Sequence, residues 1–231
     1  MSDSLLVTGG SSGIGLAVAE RFAAAGWRVI NLSRRPCPVP DADNLTVDLS
    51  DPDWDPTILR SVLVAGERLC VVHNAAETTA DSALEVNPDT LRSFLETMVV
   101  SAARIDREVI PLMGARSSVI FIGSIVSETA FGLTASYATA KHAVVGLMRA
   151  TCQDLDRDDV HTCCIKPGHV RTPMLEGLMN DGVVDRQEVL KLTHAHRLIE
   201  PDEIADLVYQ AAHTPIINGA VIDAHLGRLA G

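Results

Sequence analysis

Seven short apolar runs, separated by longer amphipathic segments, constrain this chain more than any other feature. They are LLVT (5–8), RVINL (28–32), LTV (45–47), LCVVH (69–73), SVIFI (118–122), VHTCCI (160–165) and AVIDA (220–224). Most are unbroken rather than alternating, so each strand must be covered on both faces. A parallel sheet flanked by helices meets that demand.

The spacers carry helical signals. Ile14, Ala17, Val18 and Phe22 follow helical spacing, and Gly26 can end that helix. Residues 87–113 begin with Asn87 as N-cap and Pro88 at the first helical position, and Leu91, Leu95, Met98, Ala102, Ile105 and Val109 recur at three- or four-residue steps. Residues 136–155 and 201–213 read as two further helices. One link differs: SRRPCPVPDADN (33–44) packs three prolines into five residues, which no helix interior accepts. The expected fold is therefore α/β, one Rossmann domain over 1–231. Its doubly wound, mostly parallel seven-stranded sheet has a proline-rich loop in place of the crossover helix between strands 2 and 3.

Composition removes several function classes. The formal net charge is -11 with no basic run, which disfavours nucleic acid and anionic membrane surfaces as partners. No stretch approaches the roughly 20 apolar residues of a membrane span, and the N-terminus lacks a signal-peptide pattern, so a cytoplasmic protein is expected. The five cysteines lack C-x-x-C spacing; Cys70, Cys163 and Cys164 sit in apolar runs and read as buried hydrophobes. No Cys/His cluster has zinc-ligand spacing, and His194 and His196 read as surface residues.

The turn VTGGSSGIG (7–15) joins the first strand to the first helix. Its glycines Gly9, Gly13 and Gly15 let backbone approach a ligand closely, and the helix N-terminus behind them suits a pyrophosphate. The same residues match G-x-S-x-G, the elbow of serine hydrolases, with Ser11 as nucleophile. That elbow needs several strands before it, and only a handful of residues precede this one.

Farther along, SYATAK (136–141) sets Tyr137 and Lys141 four residues apart, on one helix face. An ammonium beside a phenol favours the phenolate, so the pair is expected to lower the tyrosine pKa towards neutrality, where the phenol can exchange protons.

Taken in order, TGGSSGIG (8–15), DLSD (48–51), HNAA (73–76), GS (123–124), YATAK (137–141) and KPGHVRTPM (166–174) resemble the short-chain dehydrogenase/reductase family over almost the whole chain. The resemblance implies an oxidoreductase interconverting a carbonyl and an alcohol by hydride transfer. Tyr137 would be the general acid or base. Lys141 would lower its pKa and hold the nicotinamide ribose, and Ser124 would hydrogen-bond the substrate oxygen. Gly9, Ser12, Gly13, Ile14 and Gly15 would surround the pyrophosphate and nearby ribose. Asp48 and Leu49 would meet the adenine, Asn74 and Ala75 the ribose, and Pro167, Gly168, Val170 and Thr172 the nicotinamide. It also implies a homodimer or homotetramer paired through the helices at 87–113 and 136–155; the end, 217–231, is mildly apolar and is expected to pack against a neighbouring subunit.

At the end of the second strand, where an acidic residue would hold the 2′-OH of NAD(H), the chain carries Ser33, Arg34 and Arg35. A hydroxyl and guanidinium suit a 2′-phosphate, so NADP(H) is the expected cofactor and NAD(H) the lesser fit. Two positions depart from the family. Met98 stands where an asparagine usually supports the proton relay; another water path is expected to serve the relay, and a catalytically weak or inactive, cofactor-binding regulator is the rival reading. Ala76 replaces a glycine, beside a His73 that either faces the pocket or is buried and hydrogen-bonded. In the expected lid, 174–200, Leu175, Leu178 and Met179 suggest apolar contact, with substrate or with the core.

Overall fold

The structure is a computed structural model that describes residues 3–155 and 159–227. Seven strands form one sheet in the order β3-β2-β1-β4-β5-β6-β7, and every neighbouring pair is parallel. The strands are β1 (Ser4–Thr8), β2 (Arg28–Ser33), β3 (Asp43–Thr46), β4 (Leu69–His73), β5 (Ser117–Ile122), β6 (Val160–Pro167) and β7 (Val221–Ala224). This is the doubly wound class expected from the apolar runs.

Burial explains why the runs are unbroken. In β1, Leu5 and Val7 join the core on one side of the sheet and Leu6 the core on the other, and none has exposed surface. On the first side lie α1 (Gly13–Ala24) and α7 (Pro201–Ala211). There Phe22 is fully buried, edge-on to Trp27 and Tyr209 at 5.0 and 5.1 Å between ring centroids. Truncating such a ring typically costs about 3–5 kcal/mol. The opposite side is covered by α2 (Pro88–Leu95), α3 (Ser101–Val109) and α4 (Ala135–Asp154), through Phe94, Ile105, Val144 and Met148.

The helix expected over 87–113 starts as read, with the Asn87 side chain accepting from the Asp89 N–H at 2.8 Å. It is not regular, however: a π-helical segment, Glu96–Val100, separates α2 from α3, and the Ser101 hydroxyl donates to the Thr97 carbonyl at 2.6 Å.

Between β2 and β3 the chain is non-helical, as the prolines require. Cys37 and Val39 are buried there, and the Asn44 side chain accepts from the Cys37 N–H at 2.7 Å and from Asn31 at 2.8 Å. The next crossover is shortened too, carrying only a 3-10 turn, Pro56–Ser61, capped by Asp55. Cys70, Cys163 and Cys164 are buried, and burial pushes their thiols up to about 12, 12 and 11. His194 and His196 are exposed. Among the described residues no helix is long and apolar enough to cross a membrane. Of the end expected to meet a neighbour, residues 228–231 lie outside the described part.

Candidate active site

Strand order reverses between β1 and β4, so the carboxyl ends of these two strands diverge into a crevice, the usual ligand position in open α/β sheets. A cavity of about 990 Å3 opens there and runs along the carboxyl edge from β2 to β6. The Thr8 hydroxyl accepts the N–H groups of Asn74 and Ala75, each at 2.9 Å, and the Asn74 amide donates to the Thr8 carbonyl at 3.0 Å. The two strand ends are thereby locked together.

The glycine turn packs tightly against this lock. A Cβ on Gly15 would lie 2.3 Å from the Gly9 carbonyl oxygen and 2.5 Å from the Asn74 amide, so only glycine fits. Gly13 has φ +56°, and Thr172 from the far rim of the cavity closes over it, 3.1 Å from where a Cβ would stand. Helix α1 begins behind the turn with no side-chain cap on Ser12 and no acid in its first turn. Its free N–H groups and positive dipole end are thus left for an anion, and Gly9, Ser12, Gly13 and Ile14 line the cavity while Gly15 supports the turn from behind.

At the β2 end, Ser33, Arg34, Arg35, Asp48 and Leu49 line the cavity. The Ser33 hydroxyl donates to the Arg35 carbonyl at 2.6 Å, so its proton is committed to the loop. Both arginines are exposed, and an Arg35 Nη lies 3.5 Å from the Ser12 hydroxyl. Hydrogen bonds from the Ser50 hydroxyl and N–H, with the nearby Arg34 charge, hold the Asp48 carboxyl below its ordinary value.

The chemistry-bearing trio gathers beyond the end of β5. Ser124 caps a short 3-10 turn, Ile125–Ser127, accepting from the Val126 N–H at 3.3 Å. Helix α4 brings Tyr137 beside it, near enough for the Ser124 hydroxyl to act on the phenol and lower its pKa. One turn later Lys141 is buried, with Nζ donating to the Ile122 carbonyl at 2.7 Å and lying 5.7 Å from the Tyr137 ring centroid. Burial brings the Lys141 pKa down to about 8. The tyrosine pKa does not move as expected: burial pushes the phenol up, and the nearby Ser124 hydroxyl only partly opposes this. The ammonium reaches the ring face and a carbonyl instead of the phenol oxygen, which is why it fails to lower the pKa here.

The start of α4 is fixed from outside. Asp81 accepts from the Ser136 N–H at 3.1 Å and also from the Ser136 hydroxyl, while the Ala135 N–H donates to the Asp81 carbonyl at 3.1 Å. Glu77 similarly accepts from the hydroxyls of Ser93 and Thr97, at 3.1 and 3.0 Å. Asp81, Glu77, Thr97 and Phe94 have no local sequence signal; only the three-dimensional fold brings them to the site.

Asn74, Ala75, Pro167, Gly168, Val170 and Thr172 also line the cavity, so it gathers nearly all the residues singled out from sequence. Leu175 and Leu178 on α5 (Pro173–Asn180) line it as well, alongside α6 (Arg186–Lys191), whereas Met179 is not among its lining residues. Met98 is buried in the core. His73 is buried with Nε2 2.8 Å from Asp106, which settles its two alternatives in favour of structure.

The sequence profile of the short chain dehydrogenase family matches residues 3–182. MabA of Mycobacterium tuberculosis, named a 3-oxoacyl-(acyl-carrier-protein) reductase, is 29% identical over 227 residues, spanning 96% of this chain and 91% of MabA. FabG of Escherichia coli, which carries the same name, is 28% identical over 88% of this chain and 86% of its own. Among solved structures, a 3-oxoacyl (acyl-carrier-protein) reductase from Agrobacterium tumefaciens with NADP bound is 25% identical with a TM-score of 0.84, covering 97% and 93% of the two chains.

Proposed function

The chain belongs to the short-chain dehydrogenase family of oxidoreductases, and from that premise we propose that it interconverts a carbonyl and an alcohol using NADP(H). The observation that carries this reading is one cavity with two ends: an uncapped helix N-terminus beside exposed arginines, and the Ser124–Tyr137–Lys141 group.

When bound, the nicotinamide would supply or accept the hydride. The chain's own residues do the rest. The Ser124 hydroxyl and Tyr137 phenol are two donors on one side of the cavity, suited to an oxygen that gains negative charge in the transition state. Tyr137 gives its proton to that oxygen in reduction and takes one back in oxidation. Lys141 keeps ammonium protons beyond the one held by Ile122, and we assign these to the ribose. The turn at Gly9–Gly15 and the start of α1 hold the pyrophosphate, while Asp48 and Leu49 flank the adenine. Asn74 and Ala75 face the ribose. Pro167, Gly168, Val170 and Thr172 would approach the nicotinamide.

Arg34, with Arg35 beside it, takes the 2′-phosphate. Support comes from the absence of an acid at the β2 end and from NADP in the Agrobacterium relative. NAD(H) is the weaker ligand in this reading. By the same family reading the chain pairs with itself as a dimer or tetramer.

Tyr137→Phe tests the role of the phenol: carbonyl reduction is expected to fall at least 100-fold with NADPH binding retained. A variant as active as wild type would refute it. Met98, with a thioether where the family relay has an amide, favours the second reading, a regulator that binds the cofactor without turnover.

A further inference from the structure

Building on the proposed reaction, we infer that the carbonyl substrate is uncharged and largely apolar, with no carboxylate or phosphate of its own. Two independent features of the cavity carry this.

The first is the character of the wall beyond Ser124 and Tyr137. Val126, Phe131, Leu133, Met174, Leu178 and Val183 line the cavity there. Four of them are left in solvent: Phe131 and Met174 at 38%, Leu133 at 56% and Val183 at 44%. Scattered exposed apolar side chains are ordinary, but several around one cavity mouth are the pattern of a surface awaiting an apolar ligand. They come from three separate segments, the stretch after β5, α5 and the approach to α6, so no single helix face explains them.

The second feature is charge. The lining cations are Arg34, Arg35 and Lys141. The arginines follow β2, which stands three strand spacings, or about 14 Å, from β5 and the trio beyond it. Lys141 is spoken for by the Ile122 carbonyl and the proposed ribose. Among the described residues no arginine or lysine lines the apolar end, and His169 at the β6 exit is the one imidazole there. The Tyr137 phenol apart, the other ionisable groups lining that end are carboxylates. Glu77 receives two neutral hydroxyls, and Asp185 caps the Gln187 and Glu188 N–H groups. Glu188 is neutralised by Lys191 at 2.7 Å. An anionic substrate would lose its water, gain no arginine or lysine and meet Glu77 and Asp185. An uncharged chain would cover the exposed wall.

The test uses wild-type protein saturated with NADP+, on which a ketone forms a complex that cannot turn over. Calorimetric titration then compares ethyl 4-oxopentanoate with 4-oxopentanoate, and the same ester and acid pairs lengthened stepwise to nine carbons in the acyl chain. Each ester is expected to bind at least tenfold tighter than its acid, with affinity rising roughly fourfold per added methylene. Acids that match or exceed their esters, affinity independent of chain length, or no ketone binding by protein that has bound NADP+, would each overturn the assignment. Failure to bind NADP+ in the preceding titration strikes instead at the proposed function.

Discussion

The Asp81 carboxylate accepts both the backbone N–H and the hydroxyl of Ser136, the residue immediately before Tyr137. Thr134, the residue before α4, makes no side-chain cap of its own, so Asp81 does that work from another loop. It links the segment after β4, which faces the proposed cofactor, to the helix that aims the phenol. Asp81→Ala removes the external cap, at a cost of about 1 kcal/mol in stability. Steady-state kinetics on the folded variant are expected to show kcat down about tenfold with NADPH affinity within a factor of two. Unchanged kcat would mean that Tyr137 is held without Asp81.

Lys141 gives a pH signature. Its pKa is about 8 in the folded protein against 10.5 ordinarily, the shift arising mainly from burial. Between those values the unfolded chain carries a proton that the folded protein lacks. Stability contributed at this position is therefore constant below about pH 8 and rises with pH up to the ordinary value, by at most about 1.4 kcal/mol per unit. Chemical denaturation of cofactor-free wild type and Lys141→Met, from pH 7 to 10, isolates this residue by difference. The difference in favour of wild type is expected to grow above pH 8; a flat or falling difference contradicts the buried ammonium.

Met98 is 4% exposed and packs in the core that also contains Phe94, Ala102 and Ile105. Met98→Asn puts an amide among these groups and is expected to cost about 2–3 kcal/mol. The family resemblance puts an asparagine at this position, so the turnover rate of the folded fraction is expected to hold or rise. A rate that collapses with folding intact would refute the role assigned to this position.

How much of this was legible in the sequence differs by element. LCVVH matches β4 at both ends because a central parallel strand is apolar throughout. The edge strand β3 was read as 45–47 but spans Asp43–Thr46, because half its residues face solvent and Asn44 serves the neighbouring loop. A three- or four-residue period located the helix over 87–113 but cannot register the π segment at Glu96–Val100 inside it. At the site, Ser124, Tyr137 and Lys141 carried a signal because their spacing is set by one strand end and one helix. Asp81 lies 55 residues from Ser136, and nothing local marks the pair. The sign of the Tyr137 shift is not legible in the spacing, which places the ammonium near the ring but does not say that Nζ donates its hydrogen bond to the Ile122 carbonyl.

The central claim, an oxidoreductase that uses NADP(H), is tested most directly by titrating the purified protein with NADPH and with NADH in parallel and following nicotinamide fluorescence. The account predicts saturable binding of both, with NADPH at least tenfold tighter through Arg34 and Arg35. Tighter NADH binding would contradict the role given to those arginines, and binding of neither would contradict the claim itself.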